Sequence, residues 1–233
     1  MTSKFYGIGV GPGDPELLTV KAVKALKECD VIFDVVGPNS KKSVSGSVVD
    51  SLGLGCRKER LTFSMDRDPA VRQDAIRRNA ERIVEDLDRE RVCAFITIGD
   101  PLLYSTYIYV MRHVKALRPG VEIVTIPGVT SFQMAASLAG LPLCEDTESL
   151  CVIPAFDEDE IDNYPIENAD NIVFLKTYHT RDRILEILDR KKISYTGIYA
   201  VRLGIDGQFI TSDLASVKDM PEEYLSLLII KKK

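Results

Sequence analysis

The sequence predicts an α/β protein in two parts, the first built on a parallel sheet. Three observations carry this. Strand-like apolar runs alternate with segments of helical apolar period up to Ile126, the signature of βαβ units. Those strands are continuously apolar rather than alternating, as expected when helices cover both faces of a sheet. After Ile126 the pattern restarts with about as many strands and fewer helices, which reads as a separate α/β sheet.

Taken in order, KFYGIGV (residues 4–10) reads as a strand. Leu18, Val20, Val23, Ala25, Leu26 and Cys29 then fall near helical spacing,. DVIFDVV (30–36) is a second strand, followed by a short helix over 47–52 and a short strand over 57–63. From Asp68 to Arg89, Val71, Ala75, Ala80, Ile83, Val84 and Leu87 share one face and charges fill the other,. VCAFITI is a buried strand, 104–117 a helix, VEIVTI (121–126) a strand and 129–138 a helix. The second part reads as strands SLCVIPA, NIVFLK, YTGIYAV, QFIT and LSLLIIK, with a polar stretch over 157–170 and a helix over 181–190. A hinge near Pro127-Gly128 divides the chain into expected domains 1–127 and 128–233.

Bulk properties exclude several classes. A chain of 233 residues buries a core easily,. A formal net charge of -5 offers nucleic acid no global basic field,, and Lys231-Lys232-Lys233 reads as a solubilising tail. No apolar run approaches the ~18 residues of a membrane span. The N-terminal MTSKFYGIGVG enters a strand directly and shows no signal-peptide pattern,. Five cysteines are scattered and never spaced C-x-x-C, which fits reduced thiols in a cytoplasm,. His113 and His179, 66 positions apart, have no partners at metal-ligand spacing, so no metal site is expected,.

Three strand–turn–helix junctions carry glycine, proline and a polar side chain together. The first is GIGVGPGDPELLT, Gly7 to Thr19. Glycines there let a ligand approach the backbone ahead of a helix N-terminus. A dinucleotide fingerprint fails on detail, because Gly9-x-Gly11-x-x-Asp14 lacks the third glycine and puts an acid where a pyrophosphate would sit,. Asp34, about 20 residues on, does stand where a ribose-binding acid would lie. A nucleotide-type cofactor and a purely structural turn both remain open on this motif.

The second junction is Gly99-Asp100-Pro101, delivered by a parallel strand to the carboxyl edge of the sheet, where open α/β folds bind ligands,. Gly99 exposes its backbone, and Pro101 suits the first turn of the next helix. Asp100 reads either as a ligand contact or as a helix N-cap. Tyr104 and Tyr107, three positions apart, share one helical face, as interface packing or as the wall of a flat ligand site. The third junction, TIPGVTSFQMAASLAGLPL, ends a strand in Pro-Gly. It then places Thr130 and Ser131 before a helix of small residues.

Together GVGPGDPELLT, GDPLLYSTY and PGVTSFQMAASLAGLPL resemble the tetrapyrrole (corrin and porphyrin) methylase family, over nearly the whole chain and in the right order. The GDP-x-x-YSTY segment and LTFSMDRDPAVRQDAIRRNAERI, with its Met-x-x-Asp turn, resemble the branch that methylates carbon 20 of precorrin-2 or its cobalt complex. NIVFLKTY resembles the cofactor-contacting strand of the second domain. The resemblance implies a parallel N-terminal sheet, a mixed C-terminal sheet, and a cleft between them for S-adenosyl-L-methionine. It also implies a homodimer acting on a small-molecule tetrapyrrole in cobalamin biosynthesis.

Carried over residue by residue, the resemblance places Pro12 beside the cofactor. Gly99, Asp100 and Leu103 hold its methionine and ribose portions, and Thr130 and Ser131 contact it. Lys176 or Thr177, with Gly204, close over the adenine. Relatives often have a second glycine where this chain has Ile98. No catalytic base is assigned. A carboxylate-rich macrocycle needs local cations, for which Arg67, Arg72, Arg77, Arg78 and Arg202 are the candidates; each also reads as part of a solvated surface. Rival readings are methylation at another ring position, a nicotinamide-dependent oxidoreductase built on Gly9, Gly11 and Asp34, and a non-catalytic ligand-binding protein.

Overall fold

The computed structural model describes residues 3–36, 43–64, 66, 68–155, 158–164 and 166–233. The chain forms two compact units, Met1–Thr130 and Ser131–Lys233.

The first unit holds β1 (Lys4–Gly9), α1 (Val20–Glu28), β2 (Val31–Val36), α2 (Val44–Asp50), β3 (Arg57–Thr62), α3 (Pro69–Leu87), β4 (Val92–Thr97), α4 (Tyr107–Leu117) and β5 (Glu122–Ile126). Its sheet has the order β3-β2-β4-β1-β5, and every pairing is parallel. Because the central strands β1, β2 and β4 are largely apolar on both faces, one core packs Phe5, Phe33, Phe95 and Ile83 on one side. Tyr6, Ile8, Leu26, Ile32 and Ile96 pack on the other. Thr19 caps α1 by accepting from the Ala22 amide at 3.1 Å. Asp68 caps α3 ahead of Pro69, which needs no amide partner at that position.

α3 buries Ala75, Ile76, Ala80, Ile83 and Leu87. Val71, expected on that face, is 42% exposed in the first turn. At the amino edge of the sheet the wholly buried Asp86 accepts from Arg91 at 2.5 Å and faces Arg82 at 3.1 Å and Arg57. This carboxylate clamps the end of α3 to the starts of β3 and β4.

The second unit holds α5 (Ser131–Ala139), β6 (Leu150–Pro154), α6 (Glu158–Ile161), β7 (Asn171–Leu175), α7 (Arg181–Arg190), β8 (Tyr195–Val201), β9 (Phe209–Thr211) and β10 (Ser226–Lys232). Its sheet order is β6-β7-β10-β8-β9. β6 and β7 are parallel and the remaining pairs antiparallel, so the sheet is mixed. Ile184, Leu185, Ile187 and Leu188 of α7 pack with Phe174, Tyr199 and Leu228. Lys231 and Lys232 lie within β10 rather than in a tail, and Lys231 pairs with Glu145 at 2.9 Å and Glu148 at 2.8 Å. A strand that ends under two carboxylates needs that cation as a partner, not as a solubiliser.

Candidate active site

Three adjacent strands of the first unit, β4, β1 and β5, end at the same carboxyl edge in the three glycine-bearing junctions. Gly99 N donates to Gly11 O at 2.8 Å, and Val10 N to Thr97 O at 3.0 Å. A Cβ on Gly9 would stand 2.7 Å from Gly128 N and collide with Gly99 O. A Cβ on Gly128 would collide with the same oxygen and stand 2.8 Å from Gly9 C. Three main chains are therefore stacked where no side chain fits. Gly99 differs from the other two. Its φ of +68° favours glycine, yet a Cβ there would meet nothing within 4 Å. The residue itself is buried, so what stays clear is the space a side chain would fill, at the edge where α/β folds take ligands,. Pro12 is buried in the β1 junction, and Asp14 accepts from the Glu16 amide at 2.9 Å, starting a 3-10 turn over Pro15–Leu17.

Asp100 uses both oxygens. Oδ1 accepts from Leu102 N at 2.8 Å and Oδ2 from Gly128 N at 3.2 Å. It caps a turn, not α4. That helix begins at Tyr107, and the Tyr107 amide donates to Ser105 Oγ at 3.2 Å. Pro101 accordingly lies in the turn before the helix. The expected shared face of two tyrosines does not form. Tyr104 has left-handed backbone at φ 50° and is 42% exposed, whereas Tyr107 is wholly buried, its hydroxyl 2.8 Å from Thr125 Oγ1. Burial raises the Tyr107 phenol above its ordinary pKa. Gly7, expected to admit a ligand, instead leaves room for the Tyr107 ring. Leu103 is half-buried, its amide 3.4 Å from Asp100 O. Thr130 is half-buried and closes the first unit.

In the second unit, Ser131 is the first residue of α5. Lys176 follows β7 and Arg202 follows β8, flanking the start of β10. Both have left-handed backbone, at φ 62° and 51°. Lys176 N donates to Ser226 O at 3.0 Å and Arg202 N to Leu225 O at 2.9 Å. Burial lowers the Lys176 amine pKa. Thr177 is fully buried and its hydroxyl donates to Ser226 Oγ at 3.1 Å. Gly204, at φ 74°, donates to Gln208 Oε1 at 2.8 Å. The edge thus gathers Lys176, Thr177 and Gly204. It adds Ser226 and a Tyr178–Tyr224 ring pair at 5.3 Å, which sequence reasoning missed because the start of β10 carries no turn motif.

The family model for Tetrapyrrole (Corrin/Porphyrin) Methylases matches residues 4–218. The chain belongs to the tetrapyrrole methylases. As a member it is a methyltransferase that draws its methyl group from S-adenosylmethionine. This methylase is 32% identical over 234 residues to the probable cobalt-precorrin-2 C(20)-methyltransferase of Methanocaldococcus jannaschii, covering 100% of this chain and 97% of the relative. It is 28% identical to the cobalt-precorrin-2 C(20)-methyltransferase of Salmonella typhimurium, with coverage of 100% and 98%. Among solved structures, the uroporphyrin-III-C-methyltransferase of Thermus thermophilus superposes with a TM-score of 0.72 at 25% identity, over 100% of this chain and 93% of that one. A cobalt precorrin-4 methyltransferase shares the fold, with a TM-score of 0.76 at 18% identity over 98% and 94% of the two chains.

The oxidoreductase reading of this methylase loses its ribose acid. Asp34 is only 6% exposed, and a Cβ on Gly46 of α2 would collide with its Oδ2. Burial raises its pKa. The proposed cations divide. Arg77 pairs with Asp74 and Glu81, both at 2.6 Å, and Arg78 pairs with Asp74, so these two form a solvated helix face. Arg72 donates to Asp66 O at 2.6 Å. Arg202 donates to Asp206 O at 2.6 Å and faces Glu223 at 3.5 Å. Met65 and Arg67, of the Met-x-x-Asp turn, lie outside the described residues. Among the described residues no group of acidic, histidine and cysteine side chains could hold a metal.

Proposed function

We propose that this methylase transfers a methyl group to carbon 20 of precorrin-2 or cobalt-factor II in cobalamin (vitamin B12) biosynthesis. The unfilled side-chain space at Gly99 beside the stacked Gly9 and Gly128 is the observation that supports cofactor binding most directly. Support for the ring position comes from the full-length likeness to two C(20)-methyltransferases.

On this reading Pro12, Gly99, Asp100, Leu103 and Thr130 of the first unit hold the cofactor. Ser131, Lys176, Thr177 and Gly204 are the matching positions of the second. When bound, the cofactor supplies an activated methyl sulfonium. Gly99 lets it lie against main chain, and Asp100 keeps the β4 and β5 junctions fixed while it does so. Thr177, fully buried, acts by shaping the loop that carries Lys176. A reduced tetrapyrrole already has an electron-rich meso carbon, so the protein's task is alignment. Well-oriented juxtaposition contributes about 7–11 kcal/mol.

We also read the chain as a cytoplasmic homodimer with domains near 1–127 and 128–233. Support for a reducing compartment is that Cys29, Cys56, Cys93, Cys144 and Cys151 are all free. No helix of the described residues is long and apolar enough to cross a membrane. Metal-free precorrin-2 and cobalt-factor II, supplied in parallel with labelled cofactor, test the activity. NMR should place the new methyl at carbon 20 of one of them. Failure on both discards the assignment.

A further inference from the structure

We infer that Tyr104, with Leu102 beside it, is the surface of the first unit that receives the flat face of the tetrapyrrole. This rests on the methyl-transfer reading and names the residues that contact its substrate. Among the described residues, six non-glycine positions have positive φ: Glu90, Tyr104, Asp146, Lys176, Lys192 and Arg202. Glu90, Asp146 and Lys192 occupy exposed turns. Tyr104 is the one aromatic among them, and bulky side chains rarely accept that conformation. Strain of this kind persists where the surroundings over-determine it, and it concentrates at ligand sites.

Those surroundings are visible. Leu102 N and Leu103 N are tied to Asp100, and Ser105 Oγ donates to Thr97 Oγ1 at 3.2 Å. Ser105 and Tyr107 are thereby drawn inward, at 8% and 0% exposure, while Leu102 and Tyr104 are left 55% and 42% exposed. Two large side chains are held outward on the segment that leaves Gly99, three and five residues from the side-chain space left clear there. An apolar aromatic and an aliphatic side chain suit the face of a macrocycle, whose carboxylates lie at its rim.

The test uses the full chain and four measurements: S-adenosylhomocysteine affinity by calorimetry, tetrapyrrole affinity by absorbance titration, KM with kcat, and melting temperature. Tyr104→Ala and Tyr104→Gly should weaken tetrapyrrole binding and raise its KM at least tenfold. S-adenosylhomocysteine affinity should stay within twofold. Tyr104→Phe, which keeps the ring, should keep the tetrapyrrole affinity. Tyr104→Gly should melt no lower than wild type, because glycine enters left-handed backbone freely, so misfolding does not obscure the result. Tetrapyrrole affinity unchanged in Tyr104→Ala, or cofactor affinity falling in step with it, overturns the inference. A wild-type chain that binds tetrapyrrole without methylating it overturns the activity but leaves Tyr104 to be judged on binding. A wild-type chain that binds no tetrapyrrole overturns both.

Discussion

Asp100 Oδ2 accepts a hydrogen bond from the Gly128 amide at 3.2 Å, across 28 positions of sequence. The bond fastens the junction after β4 to the junction after β5. A carboxylate whose two oxygens both hold main-chain amides organises a site more than it offers a free ligand group. Asp100→Ala removes both acceptors. Hydrogen bonds to charged groups contribute about 1.5–3 kcal/mol, so S-adenosylhomocysteine affinity should fall by roughly tenfold or more on calorimetry. Asp100→Asn, which keeps one acceptor, should fall less. Unchanged affinity in Asp100→Ala would reduce the residue to a local turn cap.

Gly99 and Gly128 should respond differently to alanine, although each follows a strand in a turn, Gly99 in Gly-Asp-Pro and Gly128 in Pro-Gly. At Gly128 a methyl group meets the main chain of Gly9 and Gly99. Backbone cannot move aside as a flexible side chain can, and overpacking of this kind costs about 1–3 kcal/mol or more. At Gly99 a methyl meets no protein atom, and the penalty is the left-handed backbone alone, about 1–2 kcal/mol. Urea unfolding should therefore rank Gly128→Ala as the less stable. Gly99→Ala should lose cofactor affinity out of proportion to its modest instability, and cofactor affinity equal to wild type would show that nothing lies against that backbone.

Much of this was legible because apolar periodicity reports burial directly. The central strands β1, β2 and β4 read as near-continuous apolar runs since side chains pack on both of their faces, whereas the edge strand β3, RKERLT, reads as charged and is mostly exposed. Side-chain direction inside irregular backbone was not legible. Tyr104 and Tyr107 stand three apart, which puts them together only if both are helical; the left-handed turn at Tyr104 sends one ring out and the other into the core. Gly7 and Gly9 look alike in sequence, yet one makes room for a ring and the other for a neighbouring main chain. Long-range partners decide such cases. Lys231 is a further instance, since its role depends on Glu145 and Glu148 more than 80 positions away.

The Gly7–Tyr107 fit makes a coupling prediction. Tyr107→Phe removes the hydroxyl bonded to Thr125 and should cost about 1 kcal/mol. Gly7→Ala drives a methyl into the ring and should cost about 1–3 kcal/mol. Replacing the ring with a smaller side chain, Tyr107→Leu, opens the space the methyl needs. The double variant should then be more stable than the sum of the single losses predicts, by about 0.5–3 kcal/mol. Additive losses in urea unfolding would mean that the two residues do not share that volume.

Asp34 gives the fold a pH dependence of definite sign. It is almost fully buried, Oδ1 has no hydrogen-bond partner, and its pKa is raised from 3.8 chiefly by desolvation, against the opposing effects of Ser43 and Arg60 and with a further increase from Asp50. As pH rises past 3.8 the unfolded chain releases this proton first, while the folded chain keeps it up to its higher pKa. Across that window the unfolded state binds fewer protons, so stability falls with pH, and above the window the full penalty is present. Asp34→Asn removes the ionisation and keeps the shape, with Ser43 within reach as a partner. It should therefore melt higher than wild type at neutral pH. The gain should shrink as pH is lowered through the raised folded value and disappear below the ordinary carboxylate range. A difference in melting temperature that stays constant from neutral pH down to about 3 would mean that Asp34 does not change charge on folding, and that its burial is compensated by a partner other than a proton.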